Sequence, residues 1–169
     1  MKQAIINRDT MAIVWRHPIH FLSLGFGAGI SAIAPGTIGT LAAIPIYYLL
    51  QTQSLPIYIA VTIAMFIVGI GLCGYTARTL NTHDHPGIVW DEIVGFLITM
   101  IAIPFTWYWL LSGFLLFRLF DIWKPFPIKQ MDKRITGGLG IMLDDVLAGL
   151  YAWACLWALI YLTDWLGLA

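Results

Sequence analysis

Charged residues are scarce in this chain. Only 11% of the 169 residues are Lys, Arg, Asp or Glu, and none of them lies within 17–77, 93–117 or 146–163. Hydrophobic residues make up 60% of the chain and the mean hydropathy is +0.83, whereas soluble domains are about half apolar. This composition excludes an ordinary soluble domain and predicts helices that cross a membrane, since a spanning helix needs about 20 mostly apolar residues.

The chain also lacks a net charge and paired cysteines. Its formal net charge is zero, which argues against the basic surface that nucleic-acid binding requires. Cys73 and Cys155 both lie in apolar runs without the spacing of a zinc site, so we interpret them as buried hydrophobic residues. No repeat or linker divides residues 1–169, so we expect a single domain, and nothing in the sequence indicates an obligate protein partner.

Proline, glycine and short polar stretches divide the apolar runs into helices. The predicted helices are 20–34, 37–50, 57–79, 87–103, 107–124 and 141–163. The first is short and contains three glycines, so we expect an interfacial or re-entrant helix there and about five spanning helices in all. The predicted fold class is therefore an all-α, polytopic membrane helical bundle.

The basic residues predict how this bundle lies in the membrane. All nine Lys and Arg residues lie in the N-terminal segment, at Arg78, or between Arg118 and Arg134. By the positive-inside rule these three regions are cytoplasmic. Within the last region, three basic residues are expected to contact anionic lipid headgroups: Lys129, Lys133 and Arg134.

Six of the nine acidic residues fall in three short clusters at the predicted cytoplasmic ends of helices. They are Asp84, Asp91, Glu92, Asp121, Asp144 and Asp145. Helix capping is one explanation, since negative charge near a helix N-terminus is stabilised by about 0.3–1 kcal/mol. Two adjacent acids at each of two helix ends exceed what capping needs, and favour a bound cation. Asp9 and Asp132 we interpret as loop charges.

Oxygen ligands alone favour a hard divalent cation, and we expect Mg²⁺ with these six acids as candidate ligands. Zinc is less well supported, because only His83 and His85 lie near the clusters in sequence. Arg118, Asp121 and Lys124 recur along one helical stripe. They form either a surface ion-pair ladder or a site in which Asp121 joins the metal cluster while the two cations bind phosphate oxygens.

Two glycine-bearing segments remain open to two interpretations each. Thr37 and Thr40 follow Pro35-Gly36, where free amides and hydroxyls either bind an anion of the substrate or cap the helix. The segment 137–140, Gly-Gly-Leu-Gly, is interpreted as a flexible joint in preference to a phosphate-approaching loop.

Four motifs occur in order along the chain: PGTIGT at 35–40, HDHPGIVWDEIVG at 83–95, FRLFDIWKP at 117–125 and GGLGIMLDDVLAG at 137–149. Together they resemble the phosphatidylglycerophosphatase A family over nearly the whole chain. The resemblance implies a Mg²⁺-dependent enzyme of the bacterial inner membrane with its active site on the cytoplasmic face. Its implied reaction removes the terminal phosphate of phosphatidylglycerophosphate, which gives phosphatidylglycerol and inorganic phosphate.

The expected catalytic residues are the clustered acids other than Asp84, together with the two cations of the third motif. They are Asp91, Glu92, Arg118, Asp121, Lys124, Asp144 and Asp145. A metal-bound water is expected to attack the phosphate while the cations stabilise its charge. Neither an aspartyl-nucleophile motif nor a Cys-x5-Arg loop is present, which favours attack by water over a phosphoenzyme.

Four other functions are compatible with parts of the pattern. A cation transporter or channel would place its acids within the spans, whereas here they lie at helix ends. A phosphotransferase of CDP-linked lipids would need a signature that this sequence lacks. A non-catalytic scaffold would not need paired acids, and a phosphatase for another lipid phosphate would use the same site.

Overall fold

The chain folds entirely into helices over the residues that the computed structural model describes, which are 17–82 and 85–167. The elements are α1 (Pro18–Ser23), a 3-10 segment (Gly25–Ile30), α2 (Pro35–Leu50), α3 (Leu55–Thr79), α4 (Trp90–Thr99), α5 (Trp107–Trp123), α6 (Ile128–Arg134) and α7 (Gly137–Trp165). No strand occurs within these ranges, so the all-α prediction is confirmed.

The predicted helix 20–34 is wrong in its detail. It is divided into α1 and the 3-10 segment at Gly25, whose φ is 57°. Inside the segment, Phe26 and Gly27 also have positive φ angles of 59° and 95°, which an α-helix does not allow. The short helix α6 was not predicted at all. It is short and mostly polar, with Ile128 and Met131 as its apolar residues, which is too little apolar periodicity for a helix to be recognised.

The last helix begins at Gly137, four residues earlier than predicted. The glycine run there is the first turn of α7, not a flexible joint. A Cβ on Gly138 would collide with the carbonyl group of Ile70, and one on Gly140 with the carbonyl group of Ile135. Small residues are therefore required where this turn packs against the backbone of α3 at Ile70 and against the backbone of Ile135, just after α6.

The helix predicted at 87–103 is only 10 residues long in the structure. Ten residues extend about 15 Å, half the hydrocarbon thickness of a bilayer. Among the described residues, two helices are long and apolar enough to cross a membrane, α3 and α7, and α2 is a shorter apolar helix. This number is smaller than the five spans that the sequence predicts.

The short helix α4 lies in the centre of the bundle. Ile93, Phe96 and Leu97 are fully buried, and α4 packs against α2, α3 and α7. Carbonyl groups at the end of such a short helix need partners from elsewhere. The Tyr58 hydroxyl donates to the Leu97 carbonyl at 2.7 Å, and the Trp153 indole donates to the Ile101 carbonyl at 3.0 Å.

Two glycines bring α4 and α7 into backbone contact. A Cβ on Gly149 would collide with the carbonyl oxygen of Gly95, and a Cβ on Gly95 would lie 2.7 Å from the carbonyl oxygen of Asp145. The N-terminal turn of α4 consequently lies beside the third turn of α7, at the end of the bundle where α2 begins and α5 ends.

Gly149→Ala should therefore destabilise the bundle. Overpacking of this kind costs about 1–3 kcal/mol, so the midpoint of thermal unfolding in detergent should fall by several degrees. Gly71→Ala in α3 is the matched control, since its Cβ would meet nothing within 4 Å and alanine favours the helix by up to about 1 kcal/mol. Equal midpoints for the two variants would contradict the importance of this contact.

Candidate active site

A cavity of about 250 Å³ opens between the starts of α2 and α4, the end of α5 and the third turn of α7. It is lined by Ala34, Pro35, Gly36, Pro86, Ile88, Asp91, Glu92, Arg118, Asp121, Lys124, Asp144 and Asp145. All seven charged residues expected to be catalytic are in this lining. Asp84 and His83 fall outside the described residues.

Three carboxylates form an inner group, which we call the carboxylate triad: Asp91, Glu92 and Asp145. Their ligand atoms lie within 4.8 Å of one another, and Asp91 and Asp145 are only 6% and 3% exposed. Like charges this close and this buried repel one another and lose hydration, which costs several kcal/mol unless a cation compensates. Their oxygen atoms are a donor set that suits Mg²⁺.

Helix capping does not explain the whole triad. Asp91 and Glu92 lie in the first turn of α4, where the helix dipole favours negative charge. Asp144 and Asp145, in contrast, are the eighth and ninth residues of α7, too far from its N-terminus for such stabilisation. The prediction that these two stand at the start of the last helix is wrong, because the glycine turn extends α7 towards its N-terminus.

Two cations face the other acids of the cavity. Nη1 of Arg118 lies 2.5 Å from Oδ2 of Asp121 and 3.8 Å from Oε1 of Glu92. Nζ of Lys124 pairs with Oδ2 of Asp144 on α7. The ladder expected along α5 thus exists only for Arg118 and Asp121, since Lys124 turns away from the helix, with a φ of 45°, and reaches across to α7.

Lys124 stays protonated at this position. Burial by itself lowers the pKa of its ammonium group, but the carboxylates of Asp144 and Asp132 outweigh burial and raise that pKa above its ordinary value. Asp132, which the sequence presents as a loop charge, lies on α6 with Oδ2 3.5 Å from Nζ of Lys124. Lys124 is therefore a permanent positive charge beside the cavity.

The start of α2 contributes backbone and not hydroxyl groups to the cavity. Gly36 lines it, whereas Thr37 and Thr40 are not among the lining residues. The Thr40 hydroxyl is buried and donates to the Gly36 carbonyl at 2.8 Å. A Cβ on Gly36 would collide with Oε1 of Glu92 and lie 3.0 Å from Nη1 of Arg118, so the missing side chain leaves space beside both groups.

Gly36 and the loop residues Pro86 and Ile88 are lining residues that the sequence did not single out individually. The Pro-Gly pairs at 35–36 and 86–87 mark both segments as turns, but a turn signal does not show which cavity it borders. The described histidine of the second motif, His85, accepts a hydrogen bond from the Gly87 N–H at 3.1 Å, and this contact orders its loop.

Fold and site together define a helical protein with a buried cluster of carboxylates and two cations around one cavity. The family model described as Phosphatidylglycerophosphatase A matches residues 21–160. The chain belongs to the phosphatidylglycerophosphatase A family, as the motifs predicted.

Curated relatives agree with this assignment. A phosphatidylglycerophosphatase A of Escherichia coli (strain K12) is 46% identical over 79% of this chain and 78% of its own. The phosphatidylglycerophosphatase A of Haemophilus influenzae is 46% identical over 92% of this chain and 96% of its own. A putative phosphatidylinositol-3-phosphatase of Bacteroides thetaiotaomicron is 39% identical over 78% and 86%. No solved structure shows significant similarity.

Gly36→Ala should remove activity while the bundle stays folded. The added methyl group would displace the Glu92 carboxylate or the Arg118 guanidinium from the cavity, and misplacing a catalytic group by about 1 Å costs on the order of 100-fold in rate. Phosphate release and thermal unfolding are measured together, with Gly71→Ala as the control. Wild-type turnover by Gly36→Ala would show that this space is not used.

Proposed function

We propose that this protein hydrolyses phosphatidylglycerophosphate to phosphatidylglycerol and inorganic phosphate in the cavity between the first turn of α4 and the third turn of α7. The observation that carries the proposal is the buried carboxylate triad with Arg118 and Lys124 beside it. Both 46% identical relatives carry the name of this activity. The reaction is a step of phospholipid synthesis, and its proposed partners are the lipid substrate and the surrounding membrane lipids.

The charge of the cavity supports a metal requirement. Five carboxylates and two cations line it, so an anionic phosphate ester would be repelled unless a further cation were bound. Asp91, Glu92 and Asp145 are the residues that we propose hold Mg²⁺. When bound, the ion would lower the pKa of a coordinated water and neutralise phosphate charge. Asp84, Asp121 and Asp144 remain predictions as additional ligands.

Arg118 and Lys124 are proposed to bind the phosphoryl group. The Arg118 Nε–H is buried and makes no hydrogen bond to any described residue, so it has a donor to offer to a phosphate oxygen. Asp121 and Asp144 hold the two cations at the edge of the cavity. Charge-assisted hydrogen bonds of this kind strengthen as negative charge develops on the transferring group.

The proposed nucleophile is water, with one carboxylate of the cavity accepting its proton. As the bond from the water oxygen to phosphorus forms, the bond from phosphorus to the glycerol oxygen breaks. The carboxylate passes its proton to that leaving oxygen, so phosphatidylglycerol and inorganic phosphate are released. A substrate-binding role for the hydroxyl groups of Thr37 and Thr40 stays a prediction, and Gly36 lines the cavity whereas neither threonine does.

A membrane location is proposed from the surface of the bundle. Trp107 and Trp123 are 75% and 66% exposed and stand at opposite ends of α5, about 24 Å apart along its axis. Aromatic side chains at two such levels are typical of the two interfaces of a bilayer. We propose a multi-pass protein of the bacterial inner membrane with the cavity on the cytoplasmic face, and about five crossings remain the prediction.

A phosphatase for another lipid phosphate is the second candidate, which the name of the Bacteroides thetaiotaomicron relative favours. A channel is less well supported, because the cavity acids gather at one end of the bundle instead of lining a path through it. Phosphate release from a panel of lipid phosphates, including phosphatidylglycerophosphate, phosphatidic acid and phosphatidylinositol 3-phosphate, decides between the two phosphatases.

Asp91→Asn and Asp145→Asn should each reduce phosphate release by at least about 100-fold, since groups that stabilise transition-state charge contribute 10²–10³. Both variants should stay folded in detergent, because the change is nearly isosteric and removes like-charge repulsion. Asp164→Asn, at the exposed far end of α7, is the matched control. Near wild-type turnover by both site variants would refute the assignment of the triad.

Chelation by EDTA should abolish phosphate release, and added Mg²⁺ should restore it. Without a bound cation, the excess negative charge of the cavity would repel the anionic phosphate ester. Binding of Mn²⁺, followed by electron paramagnetic resonance, should be lost in Asp145→Asn and kept in Asp164→Asn. Turnover that is indifferent to EDTA would contradict the metal proposal while leaving the phosphatase proposal intact.

A further inference from the structure

Lys124 is shared between carboxylates from two different helices. Its Nζ pairs with Asp144 of α7 and lies 3.5 Å from Oδ2 of Asp132 of α6. The Asp132 side chain is 33% exposed and that of Asp144 is 8% exposed. We propose that Asp132 is a positioning residue, which holds the Lys124 ammonium at the edge of the cavity so that it can bind the phosphate of the substrate. The inference rests on the proposed function.

Asp132 is directed towards Lys124 by the packing of α6. Ile128 is fully buried, and Asp132 follows it by four residues and so lies on the same face of the helix. Lys129, Lys133 and Arg134 are exposed on the other faces. The position of Asp132 is thus set by the buried side of an amphipathic helix and not by a chance contact of a surface loop.

Lys124 needs a second carboxylate for a physical reason. The lysine stem is flexible and its ammonium group carries three donors. Held by Asp144 alone, the ammonium at the end of this flexible stem would be fixed at one point only and could move away from the cavity. With carboxylates from α6 and α7, the ammonium is held between two helices, and a third donor is available to an anion in the cavity.

Asp132→Asn should therefore weaken substrate binding. We expect KM for phosphatidylglycerophosphate to rise about three- to fivefold with kcat changed less than about twofold, the size expected from a partly exposed ion pair. Asp132→Glu should restore most of the affinity, and Asp164→Asn should leave both constants unchanged. An unchanged or lowered KM in Asp132→Asn would overturn the proposal.

A double-mutant cycle with Lys124→Met separates positioning from a structural role of α6. If Asp132 acts through Lys124, then adding Asp132→Asn to Lys124→Met should change kcat/KM by less than about twofold. Loss of the same factor in both backgrounds would mean that Asp132 only stabilises α6, and would overturn the proposal.

The same cycle can be run on the binding of inorganic phosphate, followed by ³¹P NMR titration, which needs no turnover. A wild-type protein that binds phosphate but hydrolyses none of the lipid phosphates would contradict the proposed function, and the cycle would still report on Lys124 and Asp132. An active wild-type protein without coupling between the two residues would overturn only the positioning role.

Discussion

The backbone contact between α4 and α7 is the constraint on which the site depends. Gly95 and Gly149 allow the two helices to approach until a methyl group on either would collide with the other backbone. This contact places the first turn of α4 beside the third turn of α7 and so brings Asp91 and Glu92 next to Asp145. A helix of only 10 residues could not hold this position alone. Tyr58 donates a hydrogen bond to the Leu97 carbonyl group near its end, and Trp153 donates one to the Ile101 carbonyl group just beyond it.

The acids of the cavity fall into two sets, those paired with a cation and those of the carboxylate triad. Asp121 and Asp144 each pair with a cation on or at the end of α5, whereas in the triad Glu92 lies 3.8 Å from Arg118. In the cavity lining as a whole, five carboxylates face two cations. In a chain with so few charges, this excess of buried negative charge is the strongest physical argument for a divalent cation. The arrangement also separates the proposed roles, with the triad for the ion and the two cations for phosphate.

Much of the charged site could be predicted from the sequence, because charge in an apolar chain is costly and therefore informative. The scarcity of charge groups Arg118 and Lys124 with the five acids as site residues, and all seven charged residues line one cavity. The boundaries of α4 and α7 were predicted less well, since Pro86-Gly87 and the run 137–140 signal turns by composition. In the structure, Pro86-Gly87 lies in the loop before α4, which begins at Trp90. The run 137–140 is the packed first turn of α7.

The sequence by itself determined the all-α class, the family and the identity of the charged groups, because hydropathy, motif order and residue chemistry are local properties. Only the tertiary structure decided which carboxylates form the triad, that Gly36 and not the neighbouring threonines borders the cavity, and that Asp132 belongs beside Lys124. Each of these depends on distances between helices far apart in the chain. Such distances are set by glycine contacts and by the buried face of α6, which no local pattern reveals.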